Sequence, residues 1–72
     1  MDTERRKKIK LMLVANTLSS AWLLDQLRKR HIETDKYRLC KVLSGTLKGE
    51  HASRVLVACE EILHDYEAKF NV

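Results

Sequence analysis

The 72-residue sequence contains no proline and only two glycines, Gly45 and Gly49. Tight turns between strands depend on residues that adopt positive φ, chiefly glycine, so this chain has few ways to connect strands. No apolar run approaches the roughly 18 residues of a membrane span, and Leu11–Ala15 is too short for the core of a signal peptide. These absences favour helices and predict a cytoplasmic protein without a membrane segment.

Length limits what the chain can build. A chain of 72 residues buries only about 60% of its unfolded surface on folding, so every periodic segment is needed for one small core. We therefore expect a single domain, residues 1–72, with little room for an enzyme pocket. The expectation is a non-enzymatic protein without a cofactor.

Cysteine and histidine are also scarce. Cys40 and Cys59 lie within helical patterns, which favours two small apolar residues over a disulfide. The three histidines form no closely spaced ligand pair with them of the Cys-x-x-Cys kind, so no zinc site is expected. Nothing suggests an oxyanion site or pocket that would make Cys40 and His64 a catalytic pair.

The charge is distributed unevenly along the chain. Residues 1–49 hold twelve Lys or Arg and five Asp or Glu, whereas residues 50–72 hold two and five. The basic surface therefore belongs to the first two-thirds of the molecule. Such a surface attracts polyanions, chiefly nucleic acid or acidic membrane, although it can also merely keep a small protein soluble.

Hydrophobic periodicity divides the sequence into four amphipathic segments. They are about Thr3–Ala15, Ser20–Arg30, Lys36–Leu43 and His51–Phe70. The fold class we predict is a compact all-α domain of four helices, or at most five. It has a helix-turn-helix at about residues 19–44 and a long C-terminal helix.

Apolar residues recur on one face of each segment. The predicted inward residues are Ile9, Met12 and Leu13; Leu23 and Leu27, with Leu24 at the edge; Leu39, Val42 and Leu43; and Ala52, Val55, Leu56, Cys59, Ile62, Leu63, Tyr66 and Phe70. In the connector between the second and third segments, Ile32 is the expected core anchor. The stripe of the fourth segment is the strongest periodic signal in the chain.

Several residues mark the expected helix ends. Ser19 precedes the second helix, and Asp35 or Thr34 precedes the third, as N-caps do. Ser44 and Gly45 follow the third helix, where a glycine commonly ends a helix.

The first helix has two unusual features. Asp2 or Thr3 is its expected cap, but residues 5–8 are all basic and lie beside the positive end of the helix dipole, so its first turn is expected to fray. Leu11 and Val14 fall roughly opposite its apolar face. This pair suggests that the helix is covered a second time, either by the fourth helix or by a partner.

Two further predictions concern surfaces. Trp22 lies off the apolar stripe of the second helix, and we expect it to pack against the N-terminal helix. The fourth helix carries four acidic residues on the side opposite its stripe: Glu60, Glu61, Asp65 and Glu67. DNA would repel such a face, so it should point away from any bound DNA.

The stretch from Leu18 to Gly45 carries the functional signal. A capped helix, a brief connector and a second capped helix with a basic and aromatic outer face are typical of a helix-turn-helix. In such a pair the first helix braces the second, which reads base edges in the major groove. The outer face of the third helix holds Lys36, Tyr37, Arg38 and Lys41. Arginine can bond guanine through two hydrogen bonds, lysine can reach a base or a phosphate, and tyrosine can contact a sugar or a thymine methyl.

More specific features support this interpretation. They are Thr17, Leu18, Ser19, Ser20, Leu23, Leu27, Ile32, Leu39, Val42, Leu43, Ser44 and Gly45. Through them the chain resembles the phage repressor and Cro-type helix-turn-helix family over about residues 9–63. That family commonly ends its recognition helix with an apolar pair followed by Asn-Gly, and residues 42–45 are similar to that ending. The chain departs from the family in a connector about two residues longer, with His31 where glycine is common, and in Leu24, where alanine is usual.

The resemblance implies further site residues and a function. Ser20 would contact a phosphate, and Lys48, in the loop after the third helix, would hold the DNA backbone. Under the same interpretation, Thr34 and Ser44 are also expected to contact DNA. The implied protein is a sequence-specific regulator of a phage or mobile element, in a bacterial or phage-infected cell. It would bind double-stranded DNA as a homodimer on a palindromic site.

Other interpretations stay open at this point. Basic residues on an exposed helix face are usually only solvated. A protein-binding antagonist, such as an antirepressor or a nuclease inhibitor, could use the same fold, with Leu11, Val14, Trp22 and the acidic face as its contacts. An RNA-binding or architectural role is weaker, because no aromatic stacking platform is visible.

Overall fold

A computed structural model describes residues 2–32 and 35–70, with the side chain of Phe70 outside the description. The helices are α1 (Asp2–Ala15), α2 (Ser20–Lys29), α3 (Lys36–Ser44) and α4 (Glu50–Phe70). The described residues contain no strand, so the expected all-α architecture with a long C-terminal helix is confirmed. The predicted helix bounds differ from these by no more than one residue at any end, within the ordinary uncertainty of helix termini.

The core lies where α1, α2 and α3 pack against α4, which contacts all three. The buried apolar residues are Ile9, Met12, Leu13, Leu23, Leu24, Leu27, Leu39, Val42, Leu43, Ala52, Val55, Leu56, Ala58, Cys59, Ile62 and Leu63. Every inward residue predicted for α1, α2 and α3 is in this set. On α4, Ala58 joins the predicted stripe, Tyr66 is only half-buried, and Phe70 lies outside the described side chains.

Three helices end with a residue in the left-handed conformation. These residues are Thr17, His31 and Gly45, with φ of 56°, 58° and 87°. After α1 and α2 the next amide closes the helix end: Leu18 N–H donates to Leu13 O at 2.7 Å, and Ile32 N–H donates to Leu27 O at 3.0 Å. This is the pattern of a Schellman motif, whose left-handed position favours glycine. It also packs Leu18 and Ile32 against the core, which confirms Ile32 as the connector anchor.

Thr17 and His31 therefore carry backbone strain that glycine would relieve. A left-handed conformation costs a residue with a Cβ about 1–2 kcal/mol, of which glycine's greater unfolded-state freedom takes back a part. We expect Thr17→Gly and His31→Gly each to raise the free energy of unfolding by about 0.5–1 kcal/mol, measured by urea denaturation. Ala15→Gly, in the last turn of α1, is the matched control and should lower it. A destabilised Thr17→Gly variant would show that this turn holds no strain.

The first turn of α1 differs from expectation. α1 already includes Asp2 and Thr3, so neither is its cap. The Asp2 carboxylate accepts a hydrogen bond from Ser53 Oγ of α4 at 2.8 Å and lies 3.6 Å from Arg5. These contacts oppose the fraying that is expected from basic residues beside the positive end of the helix dipole. The turn is tied to α4.

Of the four acidic residues predicted to face outward on α4, Glu61 and Asp65 are exposed, whereas Glu60 and Glu67 are half-buried against α1. Glu60 is half-buried and forms ion pairs with Arg5 and Lys8 of α1. Glu67 accepts a hydrogen bond from Asn16 Nδ2 at 2.9 Å. Because these carboxylates flank the apolar stripe rather than oppose it, they hold α1 against α4.

The two exposed acids of this set, Glu61 and Asp65, form ion pairs with the end of α2. Arg30, at the end of α2, lies 3.2 Å from Asp65 and 3.8 Å from Glu61. The two carboxylates are mostly exposed and the Arg30 side chain is 38% exposed, so each pair adds little stability by itself. The greater effect of the α4 carboxylates is on the surface charge. They neutralise basic groups of α1 and α2 on the side of the molecule that α4 forms.

Trp22 packs against α4 and not against the N-terminal helix as predicted. Its ring meets Tyr66 edge-on, with centroids 5.3 Å apart and planes at 74°. This geometry suits the opposite charges of a ring edge and a ring face. Because Tyr66 of α4 covers one side of the indole, Trp22 is half-buried. Trp22 is therefore not a fully exposed contact for a protein partner.

Candidate nucleic-acid interface

Local capping sets the start of both helices of the central pair. Ser19 Oγ accepts from the backbone N–H of Trp22 at 3.1 Å at the start of α2. Asp35 accepts from the N–H groups of Tyr37 and Arg38 at 2.9 and 3.4 Å. Asp35, rather than Thr34, is therefore the cap of α3; Thr34 lies outside the described residues. Both caps use a short polar side chain to satisfy amides that the helix leaves without partners.

The connector between α2 and α3 is long, as the sequence indicates. It runs from Arg30 to Asp35, because α2 ends at Lys29 and α3 begins at Lys36. His31 stands where the resembled family commonly has glycine and adopts a left-handed φ of 58°. The backbone thus keeps the glycine-type conformation although the residue has a Cβ.

The packing of α3 determines which of its side chains face outward. Leu39, Val42 and Leu43 are buried. The exposed residues of the helix are Lys36, Tyr37, Arg38, Cys40, Lys41 and Ser44. Tyr37 is 77% exposed. The four base-reading candidates thus share one solvent-facing surface, here called the α3 face.

The C-terminal end of α3 is held by a residue from the other end of the chain. Arg6 Nε donates to the carbonyl of Val42 at 3.0 Å, an oxygen in the last turn of α3 that also accepts from Gly45 N–H at 3.3 Å. A guanidinium also suits the negative end of the helix dipole. A Cβ added to Gly45 would lie 3.5 Å from this group, an ordinary contact distance, so the glycine is favoured by its left-handed φ of 87° and not by lack of space.

Within residues 2–32 and 35–70, the cations of the α3 face have no acidic partners. No ion pair within 4.0 Å joins Lys36, Arg38 or Lys41 to any carboxylate in the described part of the chain. On the α4 side, by contrast, the carboxylates bind cations of α1 and α2. The fold therefore separates the charges, and it leaves the positive charge of α3 available to an external anion.

The other predicted site residues are spread around this face. Ser20, Leu24 and Arg28 of α2 form one wall of a groove, and Lys36 and Cys40 of α3 form the other. Ser20 is thus close to the α3 face and exposed at the start of α2.

Two predicted residues sit differently. The Ser44 hydroxyl is exposed but bonds locally, to Lys41 O at 3.1 Å and to Thr46 Oγ1 at 2.9 Å. Lys48 is exposed beside Asp2, Thr3 and Arg6 at the start of α1. It therefore lies near the end of α3 that Arg6 caps and not on the α3 face.

Sequence reasoning missed three residues of this region. Arg28, in the last turn of α2, lines the groove opposite Lys36. Cys40 was assigned to a generic apolar position, although its helical spacing from Tyr37 and Lys41 could have placed it on the outer face. Arg6 gave no local signal at all, because its partner lies 36 residues away.

No protein-family model, curated protein or solved structure matches this chain in the three comparisons made. No described helix is long and apolar enough to cross a membrane. Across residues 2–32 and 35–70, no three His, Cys, Asp or Glu side chains converge as metal ligands would.

Proposed function

We propose that the protein binds double-stranded DNA, with α3 in the major groove. The α3 face presents Arg38 and Lys41 beside the exposed Tyr37, and its cations lack acidic partners in the described chain. This separation of charge is the observation that carries the proposal, since cations neutralised within the protein cannot release counterions from DNA.

In this proposal the parts of the central pair have distinct tasks. α2 braces α3, and Ser20 at the start of α2 contacts a phosphate, as exposed groups at helix N-termini can. Arg38 and Lys41 contact bases or phosphates in the groove, while Lys48 holds the backbone beyond the end of α3. The resemblance to phage repressors adds the biological role: a non-enzymatic transcriptional regulator of a phage or mobile element, acting in the cytoplasm.

Exposed apolar residues favour a second candidate, a protein-binding antagonist with the same fold. Leu11 and Val14 are 69% and 79% exposed, so neither α4 nor another described helix covers them. The other supports for this candidate are weaker, because Trp22 packs on Tyr66 and the α4 carboxylates hold α1 and α2.

Arg38→Ala and Lys41→Ala should each weaken DNA binding without changing stability, because neither truncation opens a cavity. If Arg38 bonds a guanine edge, its loss should cost about 1–3 kcal/mol and relax the preference at one base position. If Lys41 binds phosphate, its loss should weaken all sequences alike and lower the salt dependence by about one counterion. The measurement is a titration of duplexes selected from a random library, and of scrambled duplexes, at several salt concentrations.

Lys69→Ala provides the matched control. It removes the same charge from the last turn of α4, beside Trp22 and Arg30, and should leave affinity nearly unchanged. If Arg38→Ala and Lys41→Ala melt normally and bind every duplex as the wild type does, the DNA proposal fails. The protein-binding antagonist is then the favoured function.

A further inference from the structure

The exposed side of α1 combines apolar and charged residues in a fixed order. Leu11 and Ala15, with the edge of Met12, form a shallow apolar groove. Lys7 and Lys8, together with Glu4, border it towards the start of α1, and Glu67 of α4 borders it at the other end. Val14 extends the apolar area, since residues spaced by three and four share one side of a helix. Lys7, Leu11, Val14, Ala15 and Glu67 are here called the α1 face.

Intramolecular contacts use the charges of this face only in part. Lys7 is exposed and forms no ion pair in the described part of the chain. Glu67 uses Oε2 to accept from Asn16, which leaves Oε1 for another donor. At the start of α1 the two lysines outnumber the single carboxylate of Glu4, and at the other end the only charged residue of the groove lining is Glu67. The face thus carries an excess of positive charge at one end and a negative charge at the other, with Leu11 between them.

An order of cation, apolar centre and anion is complementary to itself when reversed. A twofold axis applies the same patch to both copies, so a patch that pairs with its own reversed image meets the requirement for a symmetric dimer. With two α1 helices antiparallel across Leu11, Lys7 of each copy lies beside Ala15 and Glu67 of the other. A parallel arrangement would instead place each Lys7 against its own counterpart, which like charges disfavour.

We propose that the α1 face is a homodimer interface in which two α1 helices pack antiparallel, with Leu11 near the twofold axis. The occupant is a second copy of this chain. The proposal concerns the free protein and stands whether or not the protein binds DNA.

The size of the face indicates a weak dimer. A helix of 14 residues is about 21 Å long at the usual rise per residue. One such pair offers less than the roughly 1,600 Å² that a standard interface buries. We therefore expect dissociation constants between micromolar and millimolar, so that the protein dimerises in concentrated solution.

Sedimentation equilibrium from low micromolar to millimolar protein, without DNA, tests the interface. Leu11→Arg should weaken self-association at least about tenfold, because the side chain occurs twice at the centre of the interface. Val57→Arg is the matched control: Val57 is 40% exposed on α4, away from the α1 face, and its variant should associate as the wild type does. A wild type that stays monomeric up to millimolar concentration, or a Leu11→Arg variant that associates normally, overturns the proposal.

A charge exchange tests the antiparallel arrangement. Lys7→Glu and Glu67→Lys should each weaken the dimer by about two- to thirtyfold, since each lost pair occurs twice. The double variant Lys7→Glu/Glu67→Lys should recover most of that loss. Thermal melts of each variant show that the monomer remains folded, because Glu67→Lys also removes the bond to Asn16. A double variant that associates no better than the single ones overturns the antiparallel pairing.

Discussion

Replacing Leu39 by alanine is expected to lower the free energy of unfolding by about 2–5 kcal/mol. Leu39 is 1% exposed, in the first turn of the short helix α3, and its truncation leaves a cavity among buried neighbours. Domains have a total stability of about 5–15 kcal/mol, and one of this size belongs at the low end. The loss should therefore be a large share of the total, measured by urea denaturation and calorimetry.

The control for Leu39→Ala lies on the same helix. Tyr37→Ala removes a larger side chain, but Tyr37 is 77% exposed, so its truncation should change stability little. In both variants alanine has a higher helix propensity than the residue it replaces. The difference in stability between the two variants therefore measures the effect of burial. A Leu39→Ala variant that melts with the wild type would mean that α3 presents a different face to the core, and the α3 face would have to be redefined.

Stability should also fall steeply in alkaline solution because of Cys59. Its thiol is fully buried, and burial, with a smaller effect of the neighbouring Glu60 charge, raises its pKa from 9.0 to about 12. The folded state therefore favours the protonated thiol. The stabilisation is fully present below pH 9.0 and is lost as the pH rises towards the folded-state pKa, by about 1.4 kcal/mol per pH unit.

Chemical denaturation at neutral pH and at steps above pH 9.0 measures this loss. The Cys59→Ala variant starts from lower stability because of the cavity, but it should lack this part of the alkaline decline. Cys40→Ala should retain it, because Cys40 is exposed; lysine and tyrosine ionisation is common to all three proteins. If the free energy of unfolding falls equally with pH in the wild type and in the Cys59→Ala variant, the alkaline loss of stability is not due to Cys59.

Much of the candidate site follows from local rules. Asp35 and Gly45 delimit α3 through capping and through the left-handed conformation, which involve neighbouring residues only. The period of Leu39, Val42 and Leu43 then determines which side of α3 is exposed. The α3 face could for this reason be predicted residue by residue, with the exception of Cys40.

The errors concern residues whose partners are distant in the chain. Trp22 was assigned to α1 because periodicity shows only that a side chain leaves the stripe and not which helix covers it. Tyr66 of α4 is that cover. Likewise, the placement of Lys48 beside α1 depends on where the loop after α3 meets the N-terminus.

The sequence by itself determined the helices, their ends and their buried faces, because helical periodicity and capping act over a few residues. Only the tertiary structure decided the pairing of charges. Arg6 caps α3 from 36 residues away, and Asn16 reaches Glu67 across 51. An ion pair has no sequence period, so whether a cation is neutralised or left exposed depends on which helices the core brings together. That selection leaves the cations of α3 solvated and those beside α4 paired.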